Sequence, residues 1–144
     1  MGTLRSLGRR RCLELLASVP MGRVVFTDHA LPAIRPVNHL LDGETIIIRS
    51  ALGHGLASAA TAHGSLVVAY EVDEIDATAR SGWSVVVTGT ARLILAEDRL
   101  RYYESVLHPW VDEPMNCVIG IDCDLVSGFE LVVELPITGN TSIR

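Results

Sequence analysis

The sequence predicts a mainly β fold: an antiparallel barrel with peripheral helices, built by a single domain. Three observations lead there. The chain is 144 residues long, about one domain, and a domain of this size buries roughly 68–70% of its unfolded surface without needing staples. Short runs rich in Val, Ile and Thr recur between turn residues and give about seven strands. Consecutive runs lack the crossover helices that a doubly wound parallel sheet requires, so closure into a barrel is the natural arrangement.

Each element has its own justification. Cys12, Leu13, Leu15, Leu16 and Val19 fall on one stripe of a helix over residues 9–18, ended by Pro20 and Gly22. Arg23 to Thr27 reads as the first strand, Ala33 to Leu40 as the second and Thr45 to Ser50 as the third, with Asp42-Gly43 the pair that closes a tight hairpin. The Ala-rich stretch 54–62 fits a short helix. Leu66 to Asp73 is a fourth strand and Trp83 to Leu95 a long fifth, in which Val85 and Val87 alternate with Ser84, Val86 and Thr88. Glu97-Asp98 then open a helix whose apolar face is Leu100, Tyr103 and Leu107, before Pro109 stops it. Met115 to Ile121 and Gly128 to Glu134 make two last strands around a turn at Asp124 to Ser127. No repeat, linker or low-complexity segment divides residues 1–144; the core runs from about 9 to 135, and the tail from Thr138 to Arg144 is expected to fray.

Composition narrows the function. Hydrophobic residues are 49% and charged residues 20%, too apolar for disorder. The apolar runs fall well short of the roughly 20 residues of a membrane span. Arg5, Arg9, Arg10 and Arg11 precede no signal-peptide core, so a cytoplasmic protein with no membrane partner is expected. A net charge of -5 and scattered arginines argue against nucleic-acid binding. The sequence contains no lysine, which excludes Schiff-base chemistry and leaves arginine to recognise phosphate. Cys12, Cys117 and Cys123 are odd in number and form no CxxC. Buried reduced thiols fit them better than metal ligands.

The most informative stretch is Ile34 to His39, followed across the Asp42-Gly43 turn by Ile46 to Ser50 and then Gly53-His54-Gly55. It sets cationic side chains against an apolar sheet and then opens a helix where a phosphate could dock. Arg49, beside the Ser50 hydroxyl, offers a charge-assisted clamp for a phosphate dianion; a solvated strand-end charge is the other reading. Arg35-Pro36 equally suits an edge strand blunted by a charge and a proline. Trp83 is either a flat wall with an N–H donor or ordinary packing. His39 is either a substrate contact or a satisfied structural residue, and Glu71 and Asp73 read as an acid pair or, better, as carboxylates that face solvent or pair with arginines. His29, His63 and His108 carry no motif.

These motifs resemble, in order and spacing, the pyridoxamine 5′-phosphate oxidase-like flavoproteins, and within them the branch containing nitroimidazole-resistance-type proteins. The resemblance rests on Gly22-Arg23-Val24, Arg35-Pro36-Val37-Asn38, Asp42-Gly43, Ile48-Arg49-Ser50, Glu71-Val72-Asp73, Gly82-Trp83-Ser84-Val85, Gly89-Thr90-Ala91, Pro109-Trp110 and Val126-Ser127-Gly128. It implies a split β-barrel that forms a homodimer and binds FMN in clefts at the subunit interface. Arg35, Pro36, Val37 and Asn38 would lie along the flavin ring, with Asn38 and the backbone on the pyrimidine edge. Arg49, Ser50, His54 and Gly55 would hold the phosphate end, and Trp83 and Ser84 would come from the second subunit. One departure matters: relatives often place a lysine where this chain has Gly55, so a deazaflavin coenzyme is an alternative. The implied function is a flavin-dependent oxidoreductase that takes electrons from a nicotinamide donor and reduces a small acceptor; a non-catalytic flavin carrier is the other class.

Overall fold

The computed structural model describes residues 2–51, 55–112 and 114–133. Eight strands and three helices follow in the order β1 (Gly2–Leu7), α1 (Arg9–Ser18), β2 (Met21–Asp28), β3 (Leu31–Asp42), β4 (Thr45–Ser50), α2 (Gly55–His63), β5 (Leu66–Asp76), β6 (Ser81–Leu93), α3 (Glu97–Val106), β7 (Cys117–Asp122) and β8 (Leu125–Val133). The expected barrel is present. Strands β6, β5, β2, β3, β4 and β7 pair in that order, and β7 returns to β6 to close a six-stranded ring. Strands β8 and β1 extend the sheet outward from β6.

The barrel interior is apolar because the strands alternate as their sequences do. Val85 and Val87 on β6 are buried while Val86 faces out, and Tyr70, Val72, Val24 and Ile121 complete the same core. Strand β4 departs from alternation: Ile46, Ile47 and Ile48 are all buried. Ile46 and Ile48 face the barrel, while Ile47 packs under α3 with Tyr103, Leu107 and Val118, which explains a continuous apolar run. Helix α1 buries Cys12, Leu15 and Leu16, and α2 buries Leu56, Ala57 and Ala60. The Asp42–Thr45 pair closes the expected hairpin, with Gly43 at φ 62°.

Two expectations are corrected. Strand β1 has no counterpart in the sequence reading: its residues are almost all exposed, and it exists because it pairs with β8, where Arg5 stands opposite Glu130 at 3.3 Å. A strand held by an edge rather than a core carries no hydrophobic period to read. The turn expected at Asp124 to Ser127 is instead a bulge. Both β7 and β8 run antiparallel to β6, with Ile121 opposite Ala91 and Leu125 opposite Thr88, so residues 122–124 stand against only 89–90. A Cβ at Gly89 would collide with the Asp122 carbonyl oxygen, so glycine lets the bulged backbone approach.

Arg23 on β2 lies 2.9 Å from Glu71 and 3.5 Å from Asp73 on β5, so of the readings open to those carboxylates it is the arginine pairing that occurs. Burial, followed by its neighbour Asp73, raises the Glu71 carboxyl to about 7 against the opposing pull of Arg23. Cys12 and Cys123 are buried free thiols and Cys117 is partly buried; no group of metal-ligating side chains occurs among the described residues.

Candidate functional site

Strand β3 changes neighbours halfway. Leu31 to Asn38 pair with β2, whereas His39 to Asp42 pair with β4. The two strands part beyond His39 and Ile48, leaving the outer edge of residues 31–38 without a strand partner among the described residues. An open cleft forms there. It encloses about 140 Å³ between Arg35, Pro36 and Val37 on one side and Arg49, Ser50, Ala51 and Gly55 on the other, over a floor of Val24, Phe26 and Met115. A second hollow of about 80 Å³ adjoins it, sharing Pro36, Val37, Arg49 and Met115 and adding Asn38 and Trp110.

The sequence-predicted residues therefore divide into four groups. Arg35, Pro36, Val37, Arg49, Ser50 and Gly55 meet in one cleft. Asn38 is adjacent but occupied: its Nδ2 donates to the His108 carbonyl at 2.9 Å, and its Oδ1 accepts from the Trp110 N–H at 3.3 Å. Trp83 and Ser84 line neither cavity; they sit on β6, separated from β3 by β5 and β2. His54 lies outside the described residues.

Arg49 is the centre of the cleft. Its Nε and Nη2 donate to the Met115 carbonyl at 3.1 and 2.8 Å, and its Nη1 donates to the Leu107 carbonyl at 3.1 Å. The guanidinium has five N–H donors, so two remain without a partner among the described residues. It is thus fixed in place by the chain that follows α3. Arg35 is exposed, with its guanidinium 5.8 Å from the Phe26 ring and Nη1 donating to the Ile34 carbonyl at 3.0 Å. The exposed cation over an aromatic ring and the anchored one across the cleft give a positive mouth over an apolar floor.

Gly55 has a packing reason. A Cβ there would sit 2.9 Å from Asp28 Oδ2 and 3.0 Å from the Phe26 ring, so α2 begins hard against β2 and a longer residue would have to displace Asp28. His39 proves structural: it is buried, with Nε2 donating to the Leu16 carbonyl at 2.9 Å and Nδ1 accepting from the Tyr70 hydroxyl at 2.6 Å. Burial lowers its pKa, which keeps the imidazole neutral. Sequence reasoning missed Met115 and the Leu107 carbonyl as partners of Arg49. No local signal marks them, because they reach the site from a loop 58 and 66 residues away.

An arginine-flanked apolar cleft beside an open strand edge matches a flavin nucleotide in the kind of groups it offers: the edge presents backbone donors and acceptors, the floor a surface for a ring, and Arg49 a cation for phosphate. Comparisons with known proteins agree with the fold. An uncharacterized protein of Mycobacterium tuberculosis is 45% identical over 130 residues, covering 89% of this chain and 86% of that protein. The crystal structure of a pyridoxamine 5′-phosphate oxidase candidate from Corynebacterium glutamicum superposes with a TM-score of 0.76 at 30% identity, over 91% of this chain and 100% of that one. The structure of an FAD binding protein from Mycobacterium smegmatis gives a TM-score of 0.69 at 28% identity, over 89% and 98%. With the sequence pattern of the pyridoxamine 5′-phosphate oxidase family matching residues 8–130, the chain belongs to that family.

Proposed function

We propose that this protein is a flavin-dependent oxidoreductase that holds the flavin mononucleotide moiety in the β3–β4 cleft and passes electrons from a nicotinamide donor to a small acceptor. The observation that carries this reading is the position of Arg49, tied to two backbone carbonyls and facing the cleft opposite the free edge of β3. The named function of the Mycobacterium smegmatis relative, FAD binding, supports a flavin as the ligand class. When bound, the flavin supplies the hydride and electron chemistry. The chain's own residues orient it: Arg35 to Val37 along the ring edge, where fixed donors favour the negative charge of the reduced ring, and Arg49 with Ser50 at the phosphate.

A cleft of about 140 Å³ is smaller than the roughly 300–1,000 Å³ of sites that enclose a drug-sized ligand. A homodimer resolves this if Trp83 and Ser84 of a second copy cover the ring. The absence of lysine at position 55 favours a deazaflavin as the second reading. Titration of the purified chain with FMN, FAD and a deazaflavin, followed by anaerobic addition of a reduced nicotinamide, tests the function. Saturable flavin binding with bleaching of the bound flavin is expected. Bound flavin that no nicotinamide reduces would make the protein a carrier, and no flavin binding at micromolar concentration would end the flavin reading.

A further inference from the structure

Strand β2 carries one charge on the face that floors the cleft. Val24, Phe26 and Asp28 alternate onto the same side of the strand; the first two lie under the cleft, and the third ends the row with a carboxylate. That carboxylate stands against the first residue of α2, since a Cβ on Gly55 would lie 2.9 Å from Asp28 Oδ2. Gly55 itself lines the cleft beside Ser50 and Ala51. The backbone holds Asp28 there: it closes the β2–β3 hairpin opposite Leu31, around His29 and Ala30 at φ 50° and 65°. Its ion-pair partner among the described residues is the almost wholly exposed His29, at 2.9 Å, a contact that water screens strongly.

We propose that Asp28 is a specificity-determining residue of the cleft: its carboxylate opposes a phosphate dianion at the end lined by Arg49, Ser50 and Gly55, so FMN binds more weakly than Arg49 alone would hold it. The proposal rests on the flavin reading above and deepens it by naming the charge that the cleft selects against. Two effects act together. Like charges repel across the wall of a site, and the repulsion grows with the charge on the ligand, about −2 for a phosphate monoester at neutral pH. Asp28 also stands where the first N–H groups of α2 and the positive end of its dipole would otherwise draw an anion. That attraction is spent within the chain. The charges at this end are few: Arg49 brings one cation, with three of its five donors already given to the Leu107 and Met115 carbonyls. Asp28 brings one anion, and position 55 has no side chain to offset it. Arg35, on the opposite wall, donates to the Ile34 carbonyl of its own strand.

Fluorescence titrations of the full chain with riboflavin and FMN, in the wild type and in Asp28→Asn, test this. Asparagine keeps the shape of the side chain and still suits a helix start. The variant is expected to bind FMN about fivefold or more tighter, while riboflavin, which lacks the phosphate, changes by less than about twofold. The gain should shrink as salt is raised from about 50 to 500 mM and the Debye length shortens. Asp98→Asn removes an exposed carboxylate at the start of α3 and should leave both affinities unmoved. FMN affinity that is unchanged or weaker in Asp28→Asn, an equal gain for riboflavin, or an equal gain for FMN in Asp98→Asn overturns the role of Asp28, while wild-type binding keeps the flavin reading in place. Failure of both the wild type and Asp28→Asn to bind either flavin defeats the flavin reading and the proposal with it.

Discussion

His39 and Ile48 form the last backbone pair between β3 and β4, and the candidate site opens immediately beyond them. The pair is held from behind: the His39 side chain bonds Leu16 of α1 and Tyr70 of β5. The point at which two strands separate is thus fixed by a buried histidine that touches three other elements of the fold. Cleft and core share one hinge.

Arg49 is expected to serve both stability and binding. Arg49→Ala removes three hydrogen bonds to the Leu107 and Met115 carbonyls and a phosphate donor together. Flavin affinity should fall by about 1.5–3 kcal/mol, the range for a hydrogen bond to a charged group. Calorimetric titration at a temperature where thermal melts show the variant folded measures this, and unchanged affinity would remove Arg49 from the site.

Asn38 fastens the segment after α3 to β3 through both ends of its amide. Asn38→Ala should destabilise the protein by about 1–3 kcal/mol, because the His108 carbonyl and Trp110 N–H lose their partner. Denaturant unfolding gives the value, and hydrogen exchange should speed up at Trp110 before it does in the barrel strands.

Gly89 should tolerate no side chain. In Gly89→Ala the new Cβ meets the Asp122 carbonyl in the bulge, and the backbone of one strand must move. A loss of more than about 3 kcal/mol is expected, seen as a large drop in melting temperature or a failure to recover soluble protein.

His39 makes stability depend on acid. Its pKa is lowered in the folded state by burial, so the unfolded chain binds a proton that the folded chain does not. Stability is then fully present above the ordinary value of 6.5 and falls as pH drops below it, by at most about 1.4 kcal/mol per pH unit. Melting curves from pH 8 to pH 5 should show this decline, and His39→Gln should flatten its contribution.

Glu71 acts in the opposite direction. Its carboxyl is raised from 4.5 to about 7, so the stability it contributes is complete below 4.5 and is lost as pH rises through about 7. Glu71→Gln, which mimics the protonated form, should melt higher than wild type at pH 8 and close to it at pH 5. A variant that melts lower at pH 8 would show that the Arg23 ion pair outweighs burial and the Asp73 repulsion.

Most elements were legible because their residues carry a period. The stripe of Cys12, Leu15 and Leu16 and the alternation around Val85 and Val87 each encode a face, and burial against a core enforces it. Strand β1 and the bulge at 122–124 were not legible, since an edge strand has no face to bury and a bulge is defined by its neighbour's register. The candidate site divides the same way. Arg35 to Val37, Arg49, Ser50 and Gly55 stood out as residue types suited to a nucleotide, and they converge on one cleft. That Arg49 is anchored by Leu107 and Met115, that Asn38 is spent on the 108–110 segment, and that Gly55 packs against Asp28 and Phe26 are facts of contact between distant segments.

The sequence by itself determined a lysine-free, mainly β fold with peripheral helices, because local periodicity, turn chemistry and composition act over a few residues. The tertiary structure alone decided where β3 leaves β4, and which side chains face the gap. Barrel closure brings together residues that are far apart in the chain, and no local pattern records that distance.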